Sequence, residues 1–172
     1  MLRWRPRPHA QRRETTPRVR PSGAASHLDL FERPASFSAP RCAALAIALS
    51  LGSLPFLLPH VLEDFERGIA ARVGLPPGIG AALLGAGLGV QLLGLILAGR
   101  GRRAGLMVTA LAGAVWTAGA LWDHGPELVA RGLDFRGSAL SALWAVGLMV
   151  TQALAALLAL AALITGRSST RG

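Results

Sequence analysis

Two histidines and a group of carboxylates are the residues of this chain best suited to chemistry. His60, Glu63 and Asp64 lie three and four residues apart, a spacing that places them on one face of a helix. Asp123 and His124 stand at the end of a later apolar stretch. If these two places in the chain meet, two imidazoles and up to three carboxylates converge, which is enough to ligate a divalent metal ion.

Two other interpretations of these histidines remain open. His60 and His124 could be the axial ligands of a haem held between neighbouring helices. Alternatively, they only anchor helix ends at a membrane surface, with His60 paired to Glu63 or Asp64, because polar groups are tolerated there. We expect no cofactor by default, with haem or a divalent metal ion as the alternatives.

Four long apolar stretches must position these residues. They cover about residues 42–62, 78–98, 104–122 and 140–164 and contain no Asp, Glu, Lys or Arg. A helix needs roughly 20 mainly apolar residues to cross the hydrocarbon core of a bilayer, and each stretch is about that long. The sequence therefore predicts an all-α, multi-pass membrane protein whose four transmembrane helices form an up-down bundle.

The distribution of arginine orients this bundle. The chain has 18 Arg, no Lys and a net charge of +9. If the spans alternate in direction, both terminal segments and the short loop at residues 100–103 lie on one side and carry 14 of these Arg. Positive charge favours the cytoplasmic side. We therefore expect both termini in the cytoplasm, His60 and His124 at outer helix ends, and a cell membrane of the bacterial inner-membrane type.

The segments that flank the bundle are polar. Residues 1–41 are rich in Arg and Pro and cannot bury a core, so we expect a disordered cytoplasmic arm before the transmembrane domain at residues 42–165. Residues 166–172 form a short cytoplasmic tail. We expect no nucleic-acid binding, because the arginines have almost no aromatic platform beside them. A single Cys excludes an intramolecular disulfide, and no Ser/His/Asp arrangement indicates a hydrolase.

Small residues and two amides are the features of the deeper membrane. Ala81, Gly85 and Gly89 recur every four residues in the second span, and such a face favours close contact with another helix, in the same chain or in a second copy. Gln91 and Gln152 lie at matching depth. We expect them to pair directly, as structural glue or around a substrate.

Prolines predict the local structure near the outer helix ends. Pro55 and Pro59 each remove a backbone hydrogen bond, so we expect a kink in the first span. Beyond it, residues 62–73 have an apolar stripe typical of a short amphipathic surface helix. After a turn at residues 124–126, a second, weaker surface helix is expected up to residue 135.

Three functions are compatible with these patterns, and an enzyme is not the preferred one. The first is a structural or accessory subunit of a membrane assembly, with the lipid bilayer, other membrane proteins or further copies as partners. The second is a small transporter or channel-type subunit for a neutral or apolar compound, contacted by Gln91 and Gln152. The third is a haem- or metal-binding redox protein that uses His60 and His124.

Overall fold

The computed structural model describes residues 38–168, with side chains up to residue 166. This part of the chain is all-helical and contains four helices that are long and apolar enough to cross a membrane, which confirms the predicted class. The predicted arm over residues 1–41 and tail over residues 166–172 fall largely outside the described residues. The four spans are Ala39–Glu66, Pro77–Gly99, Arg103–Gly137 and Ala139–Gly166.

Six α-helices build these spans. The first span consists of α1 and α2, α3 is a single turn after it, and a 3-10 segment at Gly132–Gly137 joins α5 to α6. α5 packs against both α4 and α6, and α1 packs mainly against α6. The helices are α1 (Ala39–Gly52), α2 (Leu54–Glu66), α3 (Ile69–Arg72), α4 (Pro77–Gly99), α5 (Arg103–Arg131) and α6 (Ala139–Ser168).

The bundle has two chemically different ends. We call the end that carries Glu63, Asp64 and Asp123 the acidic end. The opposite end, where α4 turns into α5, carries Arg100, Arg102 and Arg103 and is called the arginine end. The candidate ligands all lie at the acidic end.

The first span is interrupted just before Pro55, as predicted, whereas Pro59 lies inside the continuous helix α2. α1 ends at Gly52 and α2 begins at Leu54, and the hydroxyl of Ser53 donates to the carbonyl of Ser50 at 2.7 Å. The interruption precedes Pro55 because a proline ring cannot donate to the carbonyl four residues earlier. Pro55 therefore lies in the first turn of α2, where its missing donor is tolerated.

The prediction of one amphipathic surface helix over residues 62–73 was wrong. Its first residues belong to α2, which continues to Glu66. Gly68 then adopts φ 72°, a left-handed conformation that ends the helix and separates it from α3. Leu62 and Val73 of the expected apolar stripe lie on the surface of the bundle.

The prediction of a turn at residues 124–126 and of a separate helix after it was also wrong. α5 continues through Pro126 to Arg131. Its far end is held by tertiary packing, because Leu128 contacts the buried cluster around Phe135. This packing outweighs the local preference of proline, and it places His124 well inside a regular helix.

Glycine allows the closest helix contacts in the bundle. A Cβ added to Gly105 on α5 would overlap with the backbone nitrogen of Ala98 on α4. A Cβ added to Gly113 would lie 2.6 Å from the carbonyl oxygen of Gln152 on α6. Both glycines are needed for the backbones to approach, as expected when small residues drive helix association in lipid.

The glycine-rich face that the sequence singles out lies elsewhere. Ala81, Gly85 and Gly89 are exposed, and a Cβ added at Gly85 or Gly89 would meet nothing within 4 Å. Within the described part of the chain, this face of α4 packs against no other helix. Contact with a second copy or another protein stays a prediction.

The predicted pairing of Gln91 with Gln152 was wrong, because serines of the first span supply the partners of both buried amides. The Nε2 of Gln91 donates to the hydroxyl of Ser50 at 2.9 Å, and its Oε1 accepts from the indole of Trp116 at 2.7 Å. The Nε2 of Gln152 donates to the hydroxyl of Ser53 at 2.7 Å. The amides therefore brace the interruption of the first span from two sides.

Candidate metal centre

The acidic end brings His60 and Asp64 of α2 together with His124 of α5. All three residues are buried, and each offers a ligand atom that lies within 4.8 Å of those of the other two. We call these three residues the His–Asp cluster. The spacing of four residues places His60 and Asp64 on one face of α2. The packing of α5 in the bundle then brings His124 close to both of them.

One carboxylate oxygen lies between the two imidazoles. The Oδ2 of Asp64 is 3.5 Å from the Nε2 of His60 and 3.4 Å from the Nε2 of His124. These distances exceed the usual N–H···O range of about 2.7–3.2 Å. They are close to the separation of roughly 3.3 Å between two ligands that bind one tetrahedral zinc ion at about 2.0–2.1 Å.

Arg136 closes the cluster on the side of the Gly132–Gly137 segment. Its side chain is only 3% exposed, and it donates to the Oδ1 of Asp64 and, at 3.2 Å, to the Oε2 of Glu63. Glu63 also accepts from the hydroxyl of Ser141 at 2.6 Å. The guanidinium thus occupies one oxygen of Asp64 and leaves the other facing the imidazoles.

The backbone of Arg136 explains how a loop residue reaches this position. Arg136 has φ 55°, a left-handed conformation that is uncommon for a residue other than glycine. Its guanidinium lies 4.9 Å from the ring centre of the fully buried Phe135, and its carbonyl oxygen accepts from Arg67 at 3.2 Å. These contacts hold the strained backbone and direct the side chain inward.

Arg136 also determines which nitrogen of His124 carries the proton. The guanidinium lies 3.2 Å from the Nδ1 of His124, and a guanidinium can only donate, so Nδ1 accepts. The proton of the ring is therefore on Nε2, which faces Asp64 and, at 3.4 Å, the Oδ2 of Asp123. A metal ion can bind Nε2 only when this proton moves to Nδ1 or leaves the ring, and a protonated Nδ1 no longer accepts from Arg136.

Asp123 and Glu63 border the cluster, and Asp123 lies as close to the Nε2 of His124, at 3.4 Å, as Asp64 does. Asp123 forms an ion pair with Arg72 at 3.3 Å, and its side chain is 30% exposed. Glu63 is occupied by Arg136 and Ser141. Of the five polar residues that the sequence singles out here, these two act as neighbours of the cluster.

The contact between the two rings bears on the interpretation of the histidines as axial haem ligands. The rings of His60 and His124 are in edge-to-face contact, with centroids 4.6 Å apart and planes at 88°. A haem held between these two rings would require them to move apart. A single ion bound by nitrogen and oxygen atoms fits the same arrangement.

The sequence interpretation missed Arg136. Nothing in the sequence around this residue predicts the left-handed backbone that directs its side chain towards Asp64 and Glu63. The sequence also gives no sign that Ser141 donates to Glu63, because a serine is common in the first turn of a helix.

The donor set at the acidic end consists of two imidazoles and one carboxylate on two packed helices. Sets of three protein ligands with an open fourth position are typical of catalytic zinc sites. No protein-family model, curated protein or solved structure matches this chain, so no known ligand set or reaction can be carried over to these residues.

Proposed function

We propose that this multi-pass membrane protein binds a divalent transition-metal ion at the His–Asp cluster. The supporting observation is the position of the Asp64 Oδ2 between the two Nε2 atoms, at 3.4 and 3.5 Å. Imidazole nitrogen suits zinc, copper, iron and nickel, whereas magnesium and calcium prefer ligand sets made of oxygen. The two distances from Asp64 to the histidines fit tetrahedral zinc, with water or Asp123 as the fourth ligand.

The charge distribution supports a definite orientation for this site. The arginine end carries Arg100, Arg102 and Arg103 in a short loop, and arginine-rich loops favour the cytoplasm. The proposal therefore places both termini in the cytoplasm and the His–Asp cluster at the outer face of a cell membrane. A metal ion would then exchange with the exterior.

Metal binding to the purified, chelator-treated protein tests this function. We expect one Zn²⁺ per chain by calorimetry and elemental analysis. His60→Gln and His124→Gln should each weaken binding by more than about 100-fold, because loss of a direct ligand exceeds the usual effect of losing a supporting hydrogen bond.

The histidines of the N-terminal arm provide the matched control. His9 and His27 could hold metal adventitiously, so the double variant His9→Gln/His27→Gln should bind Zn²⁺ as the unmodified chain does. Binding that survives both cluster substitutions but disappears in the arm variant would overturn the proposal. Failure to bind stoichiometric metal at all would do the same.

A second candidate function is that of a subunit in a membrane assembly, and it is favoured by the exposed face of Ala81, Gly85 and Gly89. Gly85→Leu places a large side chain on this face without disturbing the bundle, since nothing lies within 4 Å of the added Cβ. We expect it to reduce cross-linked dimers or higher complexes in mild detergent. An unchanged pattern, or a monomer in both proteins, would argue against this candidate.

A further inference from the structure

The His–Asp cluster is buried, so an ion that binds there needs a way in. The side chains of His60 and His124 are each 3% exposed, and that of Asp64 is 10% exposed. A divalent cation does not give up all its water in one step, because a bare charge in a site of low polarity is strongly disfavoured. Polar groups on the way must replace the water molecules one after another. Three approaches to the cluster can be compared.

Two of these approaches are unsuited to a cation. Arg136 covers the first, and its guanidinium is only 3% exposed and repels positive charge. On the second, the cluster borders a cavity of about 230 Å³. Beyond the cluster and Asp123, the lining of this cavity is mainly apolar and includes Val61, Phe65 and Leu84. Hydrocarbon side chains offer no ligand to a hydrated ion.

The third approach passes Asp123. The Oδ2 of this residue lies 3.4 Å from the Nε2 of His124, so its carboxylate borders the cluster directly. Its side chain is 30% exposed, compared with 10% for Asp64. Asp123 therefore contacts the cluster on one side and reaches the surface of the acidic end on the other. A carboxylate in this position can replace water on an arriving ion.

Arg72 holds this carboxylate loosely in the metal-free protein. Its guanidinium donates to both oxygens of Asp123, at 3.4 and 3.3 Å, beyond the usual range for such bonds. Its side chain is 49% exposed, and exposed ion pairs add little to stability. Arg72 ends α3, a single turn between Gly68 and Gly74, which both have φ 72°. The guanidinium can therefore turn away when a cation arrives.

We propose that Asp123 is the entry group of the metal site. It captures the hydrated ion at the surface while Arg72 turns away, and it passes the ion to the Nε2 of His124 and the Oδ2 of Asp64. The ion then has the three ligands of the cluster, with water in the fourth position. This inference rests on the proposed metal site. It adds a residue that determines how fast the ion arrives rather than how tightly it is held.

The kinetics of zinc uptake by the metal-free, full-length chain in lipid nanodiscs test this role. Stopped-flow mixing with Zn²⁺ follows association through a fluorescent indicator of free Zn²⁺, and an excess of chelator follows dissociation. Asp123→Asn should lower the association rate constant by about tenfold, since a carboxylate at an entrance raises the local concentration of cations. Arg72→Gln leaves this carboxylate in place and should raise the rate constant by about threefold, because the competing guanidinium is gone.

Glu127 and Arg131 provide the matched controls. They form an ion pair of similar exposure, at 39% and 57%, one turn further along α5. Among the contacts of the described residues, this pair has none with the cluster. Glu127→Gln and Arg131→Gln change the net charge as the two test variants do. Their association rate constants should stay within about twofold of the unmodified chain, because salt screens exposed charges that do not touch the ion.

The possible outcomes separate the entry role from the proposed function. If Asp123→Asn takes up Zn²⁺ as fast as Glu127→Gln does, the entry role is wrong, even with one ion bound per chain. Faster dissociation at an unchanged association rate would also overturn it, because Asp123 would then be a permanent ligand. If the unmodified chain binds no Zn²⁺, the proposed metal site itself is wrong, and the entry role is wrong with it.

Discussion

Arg136→Leu should destabilise the metal-free protein by about 3–5 kcal/mol, the range found when one partner of a buried ion pair is removed. The substitution leaves Asp64 without its charged partner and removes a donor from Glu63. Leucine would adopt the same left-handed backbone as arginine, so the decrease in stability reflects mainly the removal of the positive charge. The free energy of unfolding in mixed micelles measures it.

Arg131→Leu is the matched control for this experiment. Arg131 pairs with Glu127 one turn away, but its side chain is 57% exposed. Exposed pairs of this kind contribute about 0–1 kcal/mol, so the control should unfold almost as the unmodified chain does. A loss in Arg136→Leu no larger than that of the control would contradict the buried ion pair.

Zinc should restore much of the stability of Arg136→Leu. A ligand that binds only the folded state at 100 times its Kd adds about 2.7 kcal/mol, and removal of the neighbouring guanidinium also removes a repulsion between two cations. The gain on adding Zn²⁺ should therefore be larger in Arg136→Leu than in the unmodified chain. A smaller gain would mean that the ion does not lie beside this guanidinium.

Gly105→Ala should destabilise the bundle by about 1–3 kcal/mol, the usual cost of overpacking. The added methyl group would overlap with the backbone of Ala98, and a backbone cannot move aside as a side chain can. α4 and α5 must separate to admit it. Thermal unfolding in detergent, monitored by circular dichroism, measures the decrease in stability.

Gly85→Ala is the control, because the added methyl group meets nothing within 4 Å. Alanine is the better helix former by about 1 kcal/mol, so this variant should be as stable as the unmodified chain or more stable. If Gly105→Ala were equally harmless, the close approach of α4 and α5 would be contradicted.

The features that the sequence predicted correctly depend on simple periodicity. The spans follow from uninterrupted apolar runs, and the interruption near Ser53 follows from the missing donor of Pro55. The shared face of His60 and Asp64 follows from their spacing of four residues. Each of these depends on neighbours within one helix.

The features that were missed depend on contacts between distant parts of the chain. α5 continues through Pro126 because Leu128 packs near Phe135, and no local signal reveals that packing. The position of Arg136 depends on a left-handed backbone that its residue type does not predict. The amides bind serines because the first span supplies these hydroxyl groups at their depth.

The position of Arg136 has a consequence for assembly in the bilayer. Helices of membrane proteins insert first and associate afterwards. Glu63 and Asp64 belong to the first span, whereas Arg136 follows the third, so these charges can pair only after the later helices have arrived. Until then, neither carboxylate has this guanidinium beside it, and Glu63 can pair only with Arg67 at the end of its own helix. The ion pair therefore marks the completion of the bundle, and a chain truncated before Arg136 would keep two acidic groups without their principal cation.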